Sequence, residues 1–373
     1  MTKYNVTLFG GYAEENRKSM DVYASKLSSS MLLYPSKISW NIDIFRPDIA
    51  KGIILNKLNY GIKLRCSKYY FYPRTAKNHN GDINHIIDQS YSYLLNYIDS
   101  KRSVVTVHDI IPILGWKGII SGLSYPHYPL LFKLSIASLH KAKAIIAVSE
   151  NTKKDLVQYC GISSEKISVI YNGINESFHT MPKEKKAILH RKFNFPDKAH
   201  IVLIMGYQQY KNHLTSFKVI NKLQDILSDP VQLVWLGGTI GQCEQLSNKV
   251  KLNNPVTRLS NLSLKQLVEL YNSVDCLLFP SWYEGFGWPP LEAMACGVPV
   301  VCSNAGPIPE IVKDAAITKD PEDIQGLFEA IKTVLIEKDQ RNSYIKLGYN
   351  NIKRFTWKNC ASEVDKLYQR VLI

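Results

Sequence analysis

Short apolar runs rich in β-branched residues alternate along this chain with stretches whose apolar positions recur at helical spacing. The runs predict strands at Tyr4–Phe9, Ile38–Phe45, Ile83–Asp88, Val104–His108, Ala144–Ser149 and Ile167–Tyr171. A second series follows at His200–Gly206, Gln232–Gly237, Val256–Leu259, Val274–Phe279 and Pro299–Cys302. Helical patterns lie between them at Met20–Ser29, Pro129–Lys141, Glu150–Tyr159, Leu214–Leu227, Leu264–Asn272 and Glu322–Ile336. Strand–helix alternation of this kind predicts parallel sheets covered by helices on both faces. The charged, weakly periodic stretch Asn175–Lys198 reads as a join, which gives domains at 1–180 and 181–354, with 355–373 as an amphipathic closing helix. Two doubly wound domains place their ligand at the carboxyl ends of the strands.

One segment, Phe279–Gly297 (FPSWYEGFGWPPLEAMACG), carries more chemistry than any other. Seven residues separate Glu284 from Glu292, across a glycine–aromatic loop that runs into a short helix. Pro289 and Pro290 suit a first helical turn, and Gly297 suits the position just past the last. The unpaired N–H groups of such a helix face whatever the loop binds, which makes an anion site. Carboxylates on either side can accept hydrogen bonds from hydroxyls. A sugar nucleotide, with phosphate and sugar hydroxyls, fits both halves. Gly285 and Gly287 also suit turns.

The segment resembles the Glu-x7-Glu signature of retaining glycosyltransferases of the GT-B type, specifically family 4 (the group 1 glycosyltransferases). The similarity is nearly continuous over 259–317. It implies two Rossmann-like domains facing a central cleft: an N-terminal acceptor domain and a C-terminal nucleotide-sugar domain, with the last helix crossing back to the first. It implies further that Glu284 lies beside the transferred sugar and that Glu292 accepts hydrogen bonds from the nucleotide ribose. Gly285, Phe286, Gly287 and Trp288 would offer backbone N–H groups, and Lys211 would meet the donor diphosphate, with Gly206 and Asn212 in the same loop. This chain has Tyr207 where many relatives carry an Arg, so a second phosphate cation is left open. His108, at the end of VVTVHDIIP, matches the family's strand-end His near the donor sugar. Gly10–Gly11 after the first strand would let backbone approach phosphate or acceptor; no third glycine follows to make a dinucleotide fingerprint.

Length and composition narrow the class without naming a ligand. A chain of 373 residues exceeds what one core usually organises. Seven cysteines with no Cys-x-x-Cys pair point to reduced thiols. No apolar run reaches the roughly 18 residues needed to span a bilayer, and Met1–Lys3 leads straight into a strand rather than a signal peptide. A cytoplasmic protein is expected, with peripheral contact at the inner face of the membrane left open by the aromatic–basic run Lys68–Arg74. The net charge of +14 is spread, with 22 basic and 13 acidic residues in 1–180 and 24 and 19 in 181–373. No basic tail or repeat accompanies it, so nucleic acid is not an expected partner.

The family resemblance implies a retaining hexosyltransferase of surface polysaccharide biosynthesis. No metal is expected, because Lys211 and helix dipoles would neutralise the leaving group and no Asp-x-Asp motif is present. The enzyme would move mannose or glucose from a nucleotide diphosphate sugar to a hydroxyl of a glycan or lipid-linked saccharide, without a cofactor. The alternatives are an epimerase or phosphorylase on the same fold, or a basic nucleic-acid-binding protein.

Overall fold

The computed structural model describes residues 3–15, 17–36, 38–49, 59–120, 122–123 and 130–373. The chain divides into two compact units. The first comprises Met1–Lys117, Tyr125–Gly173 and Trp357–Ile373; the second comprises Gly118–Ser124 and Ile174–Thr356. The division falls at Gly173–Ile174, ahead of the expected join at 180. Ile174 N–H donates to Phe355 O at 2.9 Å, which commits that segment to the second unit. Gly173 backs so closely on Trp357 that a Cβ there would lie 2.4 Å from its backbone nitrogen.

The first unit holds six parallel strands: β1 (Lys3–Phe9), β2 (Ser39–Phe45), β3 (Ile83–Ile86), β4 (Ser103–Val107), β5 (Ala144–Ala147) and β6 (Ile167–Val169). Their order is β2-β1-β3-β4-β5-β6. The second unit repeats the plan with β7 (His200–Met205), β8 (Val231–Leu236), β9 (Thr257–Leu259), β10 (Cys276–Phe279), β11 (Val300–Ser303) and β12 (Ile317–Lys319). They are ordered β12-β11-β10-β7-β8-β9. Each order reverses once, between β1 and β3 and between β7 and β10, and such a switch point opens a crevice beyond the strand ends. The central strands are buried on both faces, as in Ile201–Ile204 and Cys276–Phe279, which is why they read as continuous apolar runs.

The last helix, Trp357–Leu372, packs on helix Lys18–Leu33 and on β3 in the first unit. Its buried Asp365 accepts from Trp40 Nε1 at 2.6 Å and from Ser36 Oγ at 2.7 Å. Tyr368 Oη meets His85 Nδ1 at 2.6 Å, and His85 Nε2 meets Thr106 Oγ1 at 2.7 Å, which ties the helix to two strands. Asp365→Ala leaves the buried Trp40 N–H without an acceptor, and should cost about 1–3 kcal/mol. Urea unfolding followed by circular dichroism checks this; an unchanged midpoint would mean the helix is not held by that carboxylate.

The Pro129–Lys141 helix is found at Leu130–Ala137 with a tighter turn at Ser138–Lys141, while Pro129 lies outside the described residues. The run Lys68–Arg74 packs largely into the first unit. Lys68 is buried with its ammonium 2.8 Å from Glu15, and Tyr72 is fully buried. All seven cysteines are free thiols. Among the described residues no helix is long and apolar enough to cross a membrane.

Candidate active site

The β7–β10 switch point brings together residues far apart in sequence. After β7 the chain turns at Gly206, whose φ of +87° is a left-handed conformation that a side chain would strain. A Cβ there would also sit 3.0 Å from Lys211 Cε. A short 3-10 turn, Gln209–Lys211, then delivers Lys211 to the loop after β10. Its ammonium lies 2.7 Å from Glu284 Oε1, with both side chains almost wholly buried. Asn212 fixes this turn: its φ is +54°, and its amide donates to Pro321 O at 2.7 Å. A buried pair like this is held by geometry, since each charge has lost water.

Glu284 opens the loop that becomes helix Trp288–Ala295. Gly287 caps that helix at φ +100°, and a Cβ on it would clash with Ile308 Cδ1 at 2.8 Å. Phe286 is buried against Phe355, ring centroids 5.7 Å apart, so only its backbone is placed to meet a ligand. Glu292, on the same helix, is half-buried and accepts from the buried Tyr271 hydroxyl at 2.8 Å. Burial pushes its carboxyl up to about 7, and the Tyr271 hydrogen bond and the charge of Lys211 pull back only partly. Tyr271, at the end of helix Leu264–Tyr271, is a partner that no spacing in the sequence announced.

The raised Glu292 value has a consequence for stability. The folded state takes up a proton that the unfolded chain gives up near 4.5. Stability from this group is therefore full below about 4.5 and lost as pH rises through about 7. Glu292→Gln should flatten that part of the stability profile. Thermal midpoints between pH 4.5 and 8 measure it, and an unchanged slope would mean that another group dominates there.

Gly10, Gly11 and His108 belong to the first unit, at the carboxyl ends of β1 and β4. Gly10 N–H donates to Phe45 O at 2.9 Å and its carbonyl accepts from Tyr72 Oη at 2.7 Å. A Cβ on Gly11 would lie 3.1 Å from the Tyr91 ring, so this glycine is explained by close packing. His108 is buried, with Nε2 2.9 Å from Ile87 O. A carbonyl only accepts, so Nε2 carries the proton and Nδ1 is left as an acceptor. Burial pulls its imidazole below the usual range, against the opposing charge of Asp88. Asp88 in turn binds Arg17 at 2.7 Å, and Arg17 reaches Glu15 at 3.2 Å. This charged cluster after β1 and β3 was not foreseen. Its members come from separate loops, and only the strand order assembles them.

Two family profiles match the chain: "Glycosyl transferases group 1" over residues 185–351 and "Glycosyltransferase Family 4" over residues 44–178. The O-antigen chain mannosyltransferase RfbU of Salmonella typhimurium is 29% identical over 267 residues, spanning 71% of this chain and 68% of that protein. The serotype-specific mannosyltransferase WbdA of Escherichia coli is 25% identical over 280 residues, which span 73% of this chain but 34% of that longer protein. Among solved structures, sucrose-phosphate synthase from Thermosynechococcus elongatus superposes with a TM-score of 0.75. Its identity is 19%, with 98% of both chains covered, and that likeness concerns the GT-B fold.

Proposed function

Since the chain belongs to the group 1 (family 4) glycosyltransferases, we propose that it is a retaining hexosyltransferase acting in surface polysaccharide synthesis. The observation that carries this reading is the buried Lys211–Glu284 pair, with Glu284 in the loop that opens helix Trp288–Ala295 and the charge of Lys211 acting on Glu292 of that helix. The donor would be a nucleotide diphosphate sugar, with mannose favoured because RfbU and WbdA are mannosyltransferases. Its diphosphate would draw Lys211 away from Glu284 and lie against the backbone N–H groups of Gly287 and Trp288, since Pro289 and Pro290 that follow have none. Glu284, released, would then accept hydrogen bonds from hydroxyls of the transferred sugar. Glu292 would hold the ribose hydroxyls. The acceptor would be a glycan or a lipid-linked saccharide.

Bond changes in this proposal balance without a covalent enzyme intermediate. The bond from the sugar C1 to the diphosphate oxygen breaks, and the acceptor oxygen bonds C1 on the same face. The acceptor proton passes to the departing diphosphate oxygen. Lys211 and the helix N-terminus neutralise the leaving group, so no metal or cofactor is required in this reading. His108 of the first unit, with an accepting Nδ1, would be able to accept from a sugar hydroxyl. Incubation with GDP-mannose or UDP-glucose and a neutral oligosaccharide, with EDTA present, tests it. Product NMR should show the donor's α configuration kept; a β-linked product, or activity abolished by EDTA, would contradict the proposal.

A further inference from the structure

Asn212 and His213, directly after Lys211, line a second pocket of the second unit, of roughly 260 Å³. Aromatic rings of Tyr207, Trp235 and Trp282 and carboxamides of Gln209, Gln242 and Gln245 make up most of its wall. Among the described residues no carboxylate, Lys or Arg lines it. His213 does not supply a charge either. Its ring packs 4.4 Å from that of Trp235, and burial with the nearby Lys211 pulls it down to about 3, so it is neutral. A wall without cations is unsuited to a diphosphate, which the Lys211 loop already serves. The volume lies below the roughly 300–1,000 Å³ of sites that enclose larger ligands, which leaves room for one ring.

The polar groups around this space are both donors and acceptors. Gln242 Oε1 accepts from Thr239 N–H, which leaves its NH2 to donate. Gln209 Nε2 donates to Gly122 O at 3.1 Å, which leaves its oxygen to accept. Trp282 Nε1 has no acceptor among the described residues and almost no exposed surface, so the polar character of the pocket comes from its carboxamides. Hydroxyls, which donate and accept at once, match that mixture. The face of Tyr207, which is 61% exposed, and that of the partly buried Trp282 suit the C–H faces of a sugar ring, while the fully buried Trp235 forms the floor beneath them. We propose that this pocket is a glycan subsite, binding one neutral sugar unit of the acceptor saccharide. The assignment of the sugar to the acceptor rests on the transferase reading above.

The test uses the full chain, with saturation-transfer NMR and calorimetric titrations of neutral trisaccharides built on mannose, glucose and galactose. GDP and UDP are titrated in parallel. Gln245 is exposed on its helix, so Gln245→Trp fills the pocket with little risk to folding, and Gln245→Ala removes only the amide. Wild type should bind at least one trisaccharide. Gln245→Trp should weaken that binding by about tenfold or more, and Gln245→Ala by less, with nucleotide affinity unchanged. Trisaccharide binding that survives Gln245→Trp overturns the proposal, as does its absence in wild type that binds nucleotide. Nucleotide binding that falls in parallel also overturns it, by making the pocket part of the donor site. Sugar binding that depends on Gln245, in protein that binds neither nucleotide, supports the subsite and removes the transferase reading.

Discussion

Glu284→Gln should tighten the binding of free GDP or UDP while lowering turnover by roughly 10²-fold. The two effects have opposite signs because Glu284 has two roles. Without ligand it neutralises Lys211 across 2.7 Å in a nearly dry site, so an incoming diphosphate must displace it. The glutamine keeps the shape but removes the competing negative charge. Lys211 then turns to the phosphate without first breaking a pair, and an affinity gain of about tenfold, or about 1.4 kcal/mol, is expected. Turnover falls because the neutral amide is a weaker acceptor for the hydroxyls of the transferred sugar. Calorimetry with the bare nucleotide and a steady-state assay on the same preparation separate the two. Weaker nucleotide binding by this variant would mean that Glu284 does not compete for Lys211.

Lys211→Met should lose both. With the ammonium gone, no side-chain cation in this loop faces the departing diphosphate, and turnover should drop by roughly 10²–10³-fold. Nucleotide affinity falls in the same variant, the reverse of Glu284→Gln. A folding cost accompanies it, because Glu284 is left as a buried carboxylate without its partner. Breaking one side of such a pair costs about 3–5 kcal/mol, less whatever the group recovers by protonation. The double variant, Lys211→Met with Glu284→Gln, removes both charges and should recover much of that stability but none of the turnover. Thermal midpoints of the three proteins decide this. A double variant no more stable than Lys211→Met would show that the pair is not what holds the loop.

Much of this site was legible because its parts are local. Glu284, Gly287 and Glu292 lie in one loop and one helix, and their spacing and the two prolines already describe the turn that the structure contains. The eleven expected strands are all present, since buried parallel strands announce themselves as apolar runs. The twelfth, β12, escaped notice because it is a three-residue edge, only partly buried. Helix Ile240–Val250 escaped because its apolar residues are few, although Thr239 and Gln242 form a capping box that was readable.

Contacts between distant segments were not legible. Lys211 and Glu284 were each named, but their pairing follows from β7 lying beside β10, which no periodicity gives. Tyr271 sits on a helix that was found, yet its bond to Glu292 was not. The run Lys68–Arg74 reads in sequence as a partly buried connection with membrane contact left open, but the partner that holds Lys68 inward, Glu15, was not legible. Asn212 was placed among the donor contacts by resemblance; the bond from its amide to Pro321 O, across more than a hundred residues, was not legible.

The most direct single measurement is a thermal shift of wild type and Lys211→Met with GDP and with UDP. A true nucleotide site at one hundred times its dissociation constant stabilises the fold by about 2.7 kcal/mol. Wild type should rise with one of the two, naming the base, and Lys211→Met should lose most of that rise. No shift with either nucleotide in folded wild type, or an equal shift in the variant, would contradict a donor diphosphate bound at Lys211.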